Sequence, residues 1–333
     1  MAGVAHFNIL VPSNTKSLFT LINIVMESLE SLTKRSLEGD VAAQFALGEL
    51  YLEGVMVTKD DVGAAHWFGL AAEAGHPGAQ FRYGVQFWVG AGVEKDFERA
   101  FYWFNLASNQ GNARAQNNLA VMYQRGEGVP VDLTLAAAWL TKAAEQGHES
   151  AMSGIGLAYI QGAGVPLDPR KGVNWFKKAA RMNDPKGLYN LALCFYNGIC
   201  VPKSLLEFII LSTLSAEMGY APAINNLGAA FGEGDGVERD VAKAIKYYRM
   251  AAMQGYVVSQ LNLALHLREQ QPLGSGFQEA LAWLHIASES LPDGHWAGGL
   301  LIKWTGGMSF SDYAAARDLA KELSAKIRLS KDC

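Results

Sequence analysis

Residues 128–147, "GVPVDLTLAAAWLTKAAEQG", return 36 positions later as "GVPLDPRKGVNWFKKAARMN", residues 164–183, on the same skeleton of Gly, Val, Asp, Trp and paired Ala. With the glycine that ends the phrase as origin, units begin at Gly39, Gly75, Gly111, Gly147, Asn183, Gly219 and Gly255, each 36 residues after the last. A fixed period of this size marks a solenoid, in which each unit buries its apolar face only against its neighbours. The reading is therefore all-α: seven 36-residue helix-turn-helix units at 39–74, 75–110, 111–146, 147–182, 183–218, 219–254 and 255–290. A segment with a capping helix, 1–38, precedes them, and capping helices, 291–333, follow.

Each column of the repeat has a packing task. The first helix carries a small residue (Ala43, Ala79, Ala115, Ala151, Gly187, Ala223, Ser259) and a Leu-like residue followed by Gly or Ala, from Leu47-Gly48 to Leu263-Ala264. Apolar groups at this spacing form one helical stripe, and small ones let neighbouring backbones approach. The second helix places Trp67, Trp103, Trp139, Trp175, Tyr247 and Trp283 in one column, with Ala71, Ala107, Ala143, Ala179, Ala251 and Ala287 four residues on. Large against small is how close-packed layers interdigitate, so the Trp column is expected in the core.

The punctuation agrees. Asp60, Asp96, Asp132, Asp168 and Asp240 stand where an N-cap of the second helix belongs, with Ser204 and Gly276 in their place in units five and seven. Asn183 replaces a terminal glycine with the next best left-handed residue. At the ends, Leu18, Ile22, Val25, Leu29 and Leu32 form one amphipathic stripe, and Tyr313, Ala316, Ala320, Leu323 and Ile327 form another after the N-cap candidates Ser309 and Ser311.

Seven copies of A-x-x-x-L-G-x-x-Y-x-x-G-x-G-V-x-x-D-x-x-x-A-x-x-W-x-x-x-A-A make residues 39–290 resemble the Sel-one-like repeat (SLR) group, relatives of the tetratricopeptide repeats. The resemblance implies a right-handed α-solenoid that serves as an adaptor or signalling scaffold, commonly in bacteria. In tetratricopeptide-like stacks the first helices line the concave face. By that register Phe45, Phe81, Trp88, Asn117, Arg125, Tyr189, Tyr196, Asn225 and Glu233 are expected on an open groove able to hold an extended peptide or a helix. Asn118, Asn190, Asn226 and Asn262 recur one position after the Asn117 column, either as ligand contacts or as amides bonding neighbouring backbone.

Composition narrows the partners. The 28 basic and 32 acidic residues hold no basic run, which argues against nucleic acid or an anionic lipid surface. Three cysteines (Cys194, Cys200, Cys333) do not make a disulfide framework; the first two are expected as buried thiols in a reducing compartment. "LFTLINIVM" is too short to span a membrane and has no cleavage site after it, so the chain is expected to begin near Met1 and to be cytoplasmic, with no membrane insertion. The seven histidines lack paired ligand spacing and are expected at the surface or at caps. "SNTK" and "SLTK" match S-x-x-K without its companion motifs, and "GEGDGV" joins two helices rather than a strand and a helix. No cofactor or metal is called for.

The expected function is a non-catalytic scaffold or adaptor binding a protein or peptide. A hydrolase built across the groove and an exported bacterial host-interaction or signalling factor are the competing readings. One further feature stands apart: "SLLEFIILSTLSAEM", residues 204–218, lacks the Trp and places Leu206, Ile210 and Leu214 on one stripe. Either the stripe is exposed and docks a second copy (a homodimer) or a partner helix, or a register shift turns it into the core.

Overall fold

A computed structural model describes residues 29–270, 275–292, 295–306 and 308–332. These form seventeen α-helices and no strand, in two compact units that meet in sequence between His148 and Glu149. Leu18, Ile22 and Val25 of the first stripe, and Cys333, lie outside the described residues.

The first unit holds α1 (Leu29–Leu37) and three helix pairs: α2 (Val41–Glu53) with α3 (Asp61–Glu73), α4 (Pro77–Val89) with α5 (Phe97–Asn109), and α6 (Ala113–Arg125) with α7 (Leu133–Glu145). The second holds four pairs: α8 (Glu149–Gln161) with α9 (Pro169–Arg181), α10 (Pro185–Asn197) with α11 (Leu205–Glu217), α12 (Ala221–Glu233) with α13 (Val241–Met253), and α14 (Val257–Gln270) with α15 (Ser275–Glu289). Two further helices, α16 (Trp296–Thr305) and α17 (Phe310–Asp332), complete it. Each unit is an α-solenoid: the two helices of a pair pack on one another, and within a unit the second helix of each pair packs on the first helix of the next.

Local chemistry sets the helix ends. The side chains of Asp60, Asp96, Asp132, Asp168, Ser204 and Asp240 all accept a backbone N–H of the helix they open, each cap being worth about 1 kcal/mol. The first helices use a second cap column: Asp40, His76, Asn112 and Asp184 accept in the same way. Burial holds the His76 imidazole below its ordinary pKa, in the neutral form whose Nδ1 accepts from Ala79 at 3.0 Å. Ser309 caps α17, accepting from Asp312 N–H and donating to its carboxylate. Gly276 does not cap its helix: α15 already begins at Ser275, so the glycine sits inside the first turn. Asn183 is left-handed, with φ 58°.

The repeat's second turn glycine is fixed by proximity. Gly92 has φ 71°, and a Cβ there would overlap the Asp61 carbonyl where the turn meets the preceding second helix. Cys200 holds the equivalent position 108 residues later at φ 54°, and it is exposed; of these two cysteines only Cys194 is a buried thiol, its pKa pushed up to about 11 by burial.

The core follows a different column from the one expected. Trp67, Trp103, Trp139, Trp175 and Tyr247 are only half-buried. The residue after each, Phe68, Phe104, Leu140, Phe176 and Tyr248, is the buried one. Lys142 and Lys178 lie over the open faces of Trp139 and Trp175, 4.1 and 3.9 Å from the ring centroids. Trp283 alone is fully buried, in a cluster with side chains of α16 and α17. The small columns are buried as expected, from Ala43 to Ser259 and from Ala71 to Ala287.

Candidate protein-binding surface

In the first unit the predicted groove residues lie at the rim of the core. Phe45 is half-buried, stacked on His76 at 4.5 Å and tilted against Phe68 at 5.8 Å. Phe81 leans on Phe104 in the same manner, at 6.0 Å. Trp88 is half-buried, edge-on to Phe104 at 5.8 Å, and its Nε1–H donates to Glu127 Oε2 at 2.7 Å. Glu127 also faces the exposed Arg125, 3.6 Å away. Asn117 is half-buried beside Asn118.

In the second unit Tyr189 meets Tyr220 edge to face at 5.4 Å. Tyr196 tilts against Phe208 at 4.8 Å and donates its O–H to Asp235 Oδ2 at 2.9 Å. That hydrogen bond is the main reason its phenol is held above the usual pKa. Asn190, Asn226 and Asn262 are half-buried, and Glu233 is exposed. Asn225 departs from expectation: it is only 9% exposed, and its Oδ1 accepts from Ser259 Oγ at 2.8 Å and from Asn262 Nδ2 at 3.1 Å. It belongs to the packing between pairs, because a serine stands opposite it in the small-residue column.

Three constellations escaped the sequence reading, and each left a trace there. Trp88–Glu127 and Tyr196–Asp235 are one contact made twice, three repeats apart. The residue at the Trp88 position is an aromatic donor only in these two repeats, and the turn of the following repeat is acidic only there. Arg82 Nη2 donates to Glu49 Oε2 at 2.7 Å. Burial raises the Glu49 pKa against the attraction of Arg82. Glu49 stands in a column otherwise filled by Val, Leu and Ala, and Arg82 in one rich in Asn. Finally, buried Gln44, Gln80, Gln116 and Gln260 each donate to a carbonyl at the end of the preceding helix. Gln110 and Gln146 donate in turn to Gln80 and Gln116.

The groups with the largest displaced pKa values, Cys194 and Tyr248, owe them to burial and sit in packing columns. Among the described residues no cluster of three or more His, Cys, Asp or Glu is arranged to hold a metal ion, and no helix is long and apolar enough to cross a membrane.

The Sel1 repeat pattern matches seven consecutive segments, 41–76, 77–112, 113–148, 149–184, 185–220, 221–256 and 257–290. The chain is similar to the crystal structure of a protective antigen present in uropathogenic Escherichia coli strains, at 29% identity and a TM-score of 0.61, over 90% of this chain and 64% of that one. It thus spans less than two thirds of the antigen's length. It is also similar to a Sel1 repeat protein from Oxalobacter formigenes, at 27% identity and a TM-score of 0.63, over 71% of this chain and 92% of that one. A search of the curated proteins found no match. Seven unbroken copies of one pattern, folded as seven helix pairs with the same small columns in each and a side-chain cap on six of the second helices, mean that the chain belongs to the Sel1 repeat family.

Proposed function

We propose that this chain is a scaffold that docks protein segments along its first helices, each unit offering its own surface: Phe81, Trp88, Asn117 and Arg125 in the first, Tyr189 and Tyr196 in the second. Sel1 repeat proteins are generally protein-interaction scaffolds. The observation that carries the reading is the pair of oriented aromatic donors: Trp88 and Tyr196 are each tied to a carboxylate of the next repeat, which fixes a ring at the rim instead of letting it collapse inward. Rigid aromatics beside amides and charges suit a polar segment with a few apolar anchors. Because Trp88 also packs on Phe104, Trp88→Ala will lower stability as well as binding, so the discriminating substitutions are Asn117→Ala with Arg125→Ala. A partner captured by crosslinking from native lysate should bind this double variant at least tenfold more weakly in calorimetry, with an unchanged melt. Equal affinity excludes the first-unit surface.

Similarity to a protective antigen favours one second reading, in which the protein is exported. An epitope-tagged chain found outside the cytoplasmic fraction of its native host supports it; confinement to that fraction removes it.

A further inference from the structure

The outer row of α11 has no part in the groove. Leu206, Ile210, Leu214 and the C-cap residue Met218 step by four along this helix and are 67%, 44%, 45% and 50% exposed, so the row faces solvent. At about 1.5 Å rise per residue it runs ~18 Å, one side chain wide. The same columns of the neighbouring pairs are also exposed, but they hold Arg170, Asn174 and Lys178 on α9 and Ala242, Lys246 and Met250 on α13.

Charge singles out the occupant. The helix α9 reads PRKGVNWFKKAAR and α13 reads VAKAIKYYRMAAM; five and three basic residues make eight, with no Asp or Glu in either. This stands in a protein whose formal net charge is −4. Neighbouring second helices lie within side-chain reach of one another, as the Arg249–Glu279 pair at 2.8 Å between α13 and α15 demonstrates. Lys171, Lys243 and Arg249 are paired with Asp168, Asp240 and Glu279, so the cations that border the apolar row are Arg170 and Lys178 on one side and Lys246 on the other, outnumbering the exposed Glu207 and Glu217 of α11 itself. Lys178 is further held in place over the Trp175 ring. Four large apolar side chains in a row keep 44–67% of their surface in solvent where the next pair places Arg, Asn and Lys, and such a patch marks an interaction site.

We propose that the outer row of α11 is a docking site for an acidic amphipathic helix of a partner protein. Apolar residues at i, i+4 and i+7 of that helix lie along Leu206, Ile210, Leu214 and Met218, and carboxylates at its edges meet Arg170 and Lys178 on one side and Lys246 on the other. An apolar strip one side chain wide matches the stripe of a single helix; a bilayer surface would call for a broader patch.

The test uses the full chain and two labelled synthetic peptides of about 18 residues with the same leucine stripe, one edged with Glu and one with Lys, read by fluorescence anisotropy. The Glu peptide should bind at least tenfold more tightly than the Lys peptide and lose affinity with added salt. Ile210→Glu, and separately Arg170→Glu with Lys246→Glu, should each weaken it at least tenfold with unchanged urea melts. If Ile210→Glu melts below the parent, Leu206→Gln, at the most exposed position, is read in its place. Equal binding of both peptides, or binding indifferent to these substitutions, overturns the proposal. So does binding to phosphatidylserine–phosphatidylcholine vesicles that Ile210→Glu abolishes, which would make the partner a membrane. A sedimenting dimer that Ile210→Glu dissolves would give the row to a second copy and overturn it equally.

Discussion

Gly84 and Phe104 illustrate how single residues set the spacing of a pair. A Cβ on Gly84 would come within 2.8 Å of the Phe104 ring, and Gly48, Gly156 and Gly228 face Phe68, Phe176 and Tyr248 in the same way. Where the second helix carries Leu140 or Leu284 in place of a ring, the first carries Ala120 or Ala264. Glycine with ring and alanine with leucine are two solutions of one volume problem. Gly84→Ala should therefore destabilise by about 1–2 kcal/mol, overpacking outweighing the better helix propensity of alanine. Phe104→Leu should lose about 1–3 kcal/mol through the space it leaves. The double variant should recover at least ~1 kcal/mol of their sum in a urea-melt cycle, since residues in contact couple. Strict additivity would show that the two side chains do not share a constraint.

The second helix α7 separates two neighbouring positions with different fates. Asp132 caps it, Trp139 is half-open beneath Lys142, and Leu140 is buried. Leu140→Ala should cost about 2–5 kcal/mol, with Trp139→Ala less damaging and Asp132→Ala near 1 kcal/mol. Urea midpoints that place Trp139→Ala lowest would restore tryptophan to the core. The caps also carry a pH dependence. The backbone N–H of Lys243 bonds the Asp240 carboxylate and holds its pKa below the ordinary range. A depressed folded-state pKa means a contribution present above the unfolded pKa of about 4 and lost as pH falls through the folded value. Parent and Asp240→Ala should thus differ in urea midpoint at about pH 6 and converge as pH falls through the depressed folded-state pKa. A constant gap would mean that the cap does not depend on the ionised carboxylate.

Across the whole molecule, the period, the seven pairs, six of the second-helix caps and the small columns were legible in the amino-acid sequence, because each recurs at a fixed position of the repeat. Which aromatic column is buried was not. Trp139 and Leu140 stand only about 100° apart on the helix, both beside the apolar stripe, and the neighbouring helix alone decides which one it covers. The same holds for the proposed surfaces: nothing local to Asn225 announces that Ser259 and Asn262 will claim it, and Trp88 finds Glu127 39 residues away. The α11 row could be read as exposed or as core from its spacing alone; its exposure depends on how the adjoining pairs meet it. The sequence by itself determined the repeat and its punctuation, which are short-range and additive. Only the tertiary structure decided burial at the edge of each stripe and the pairing of polar groups between repeats, since both depend on which distant side chain arrives first at a shared volume.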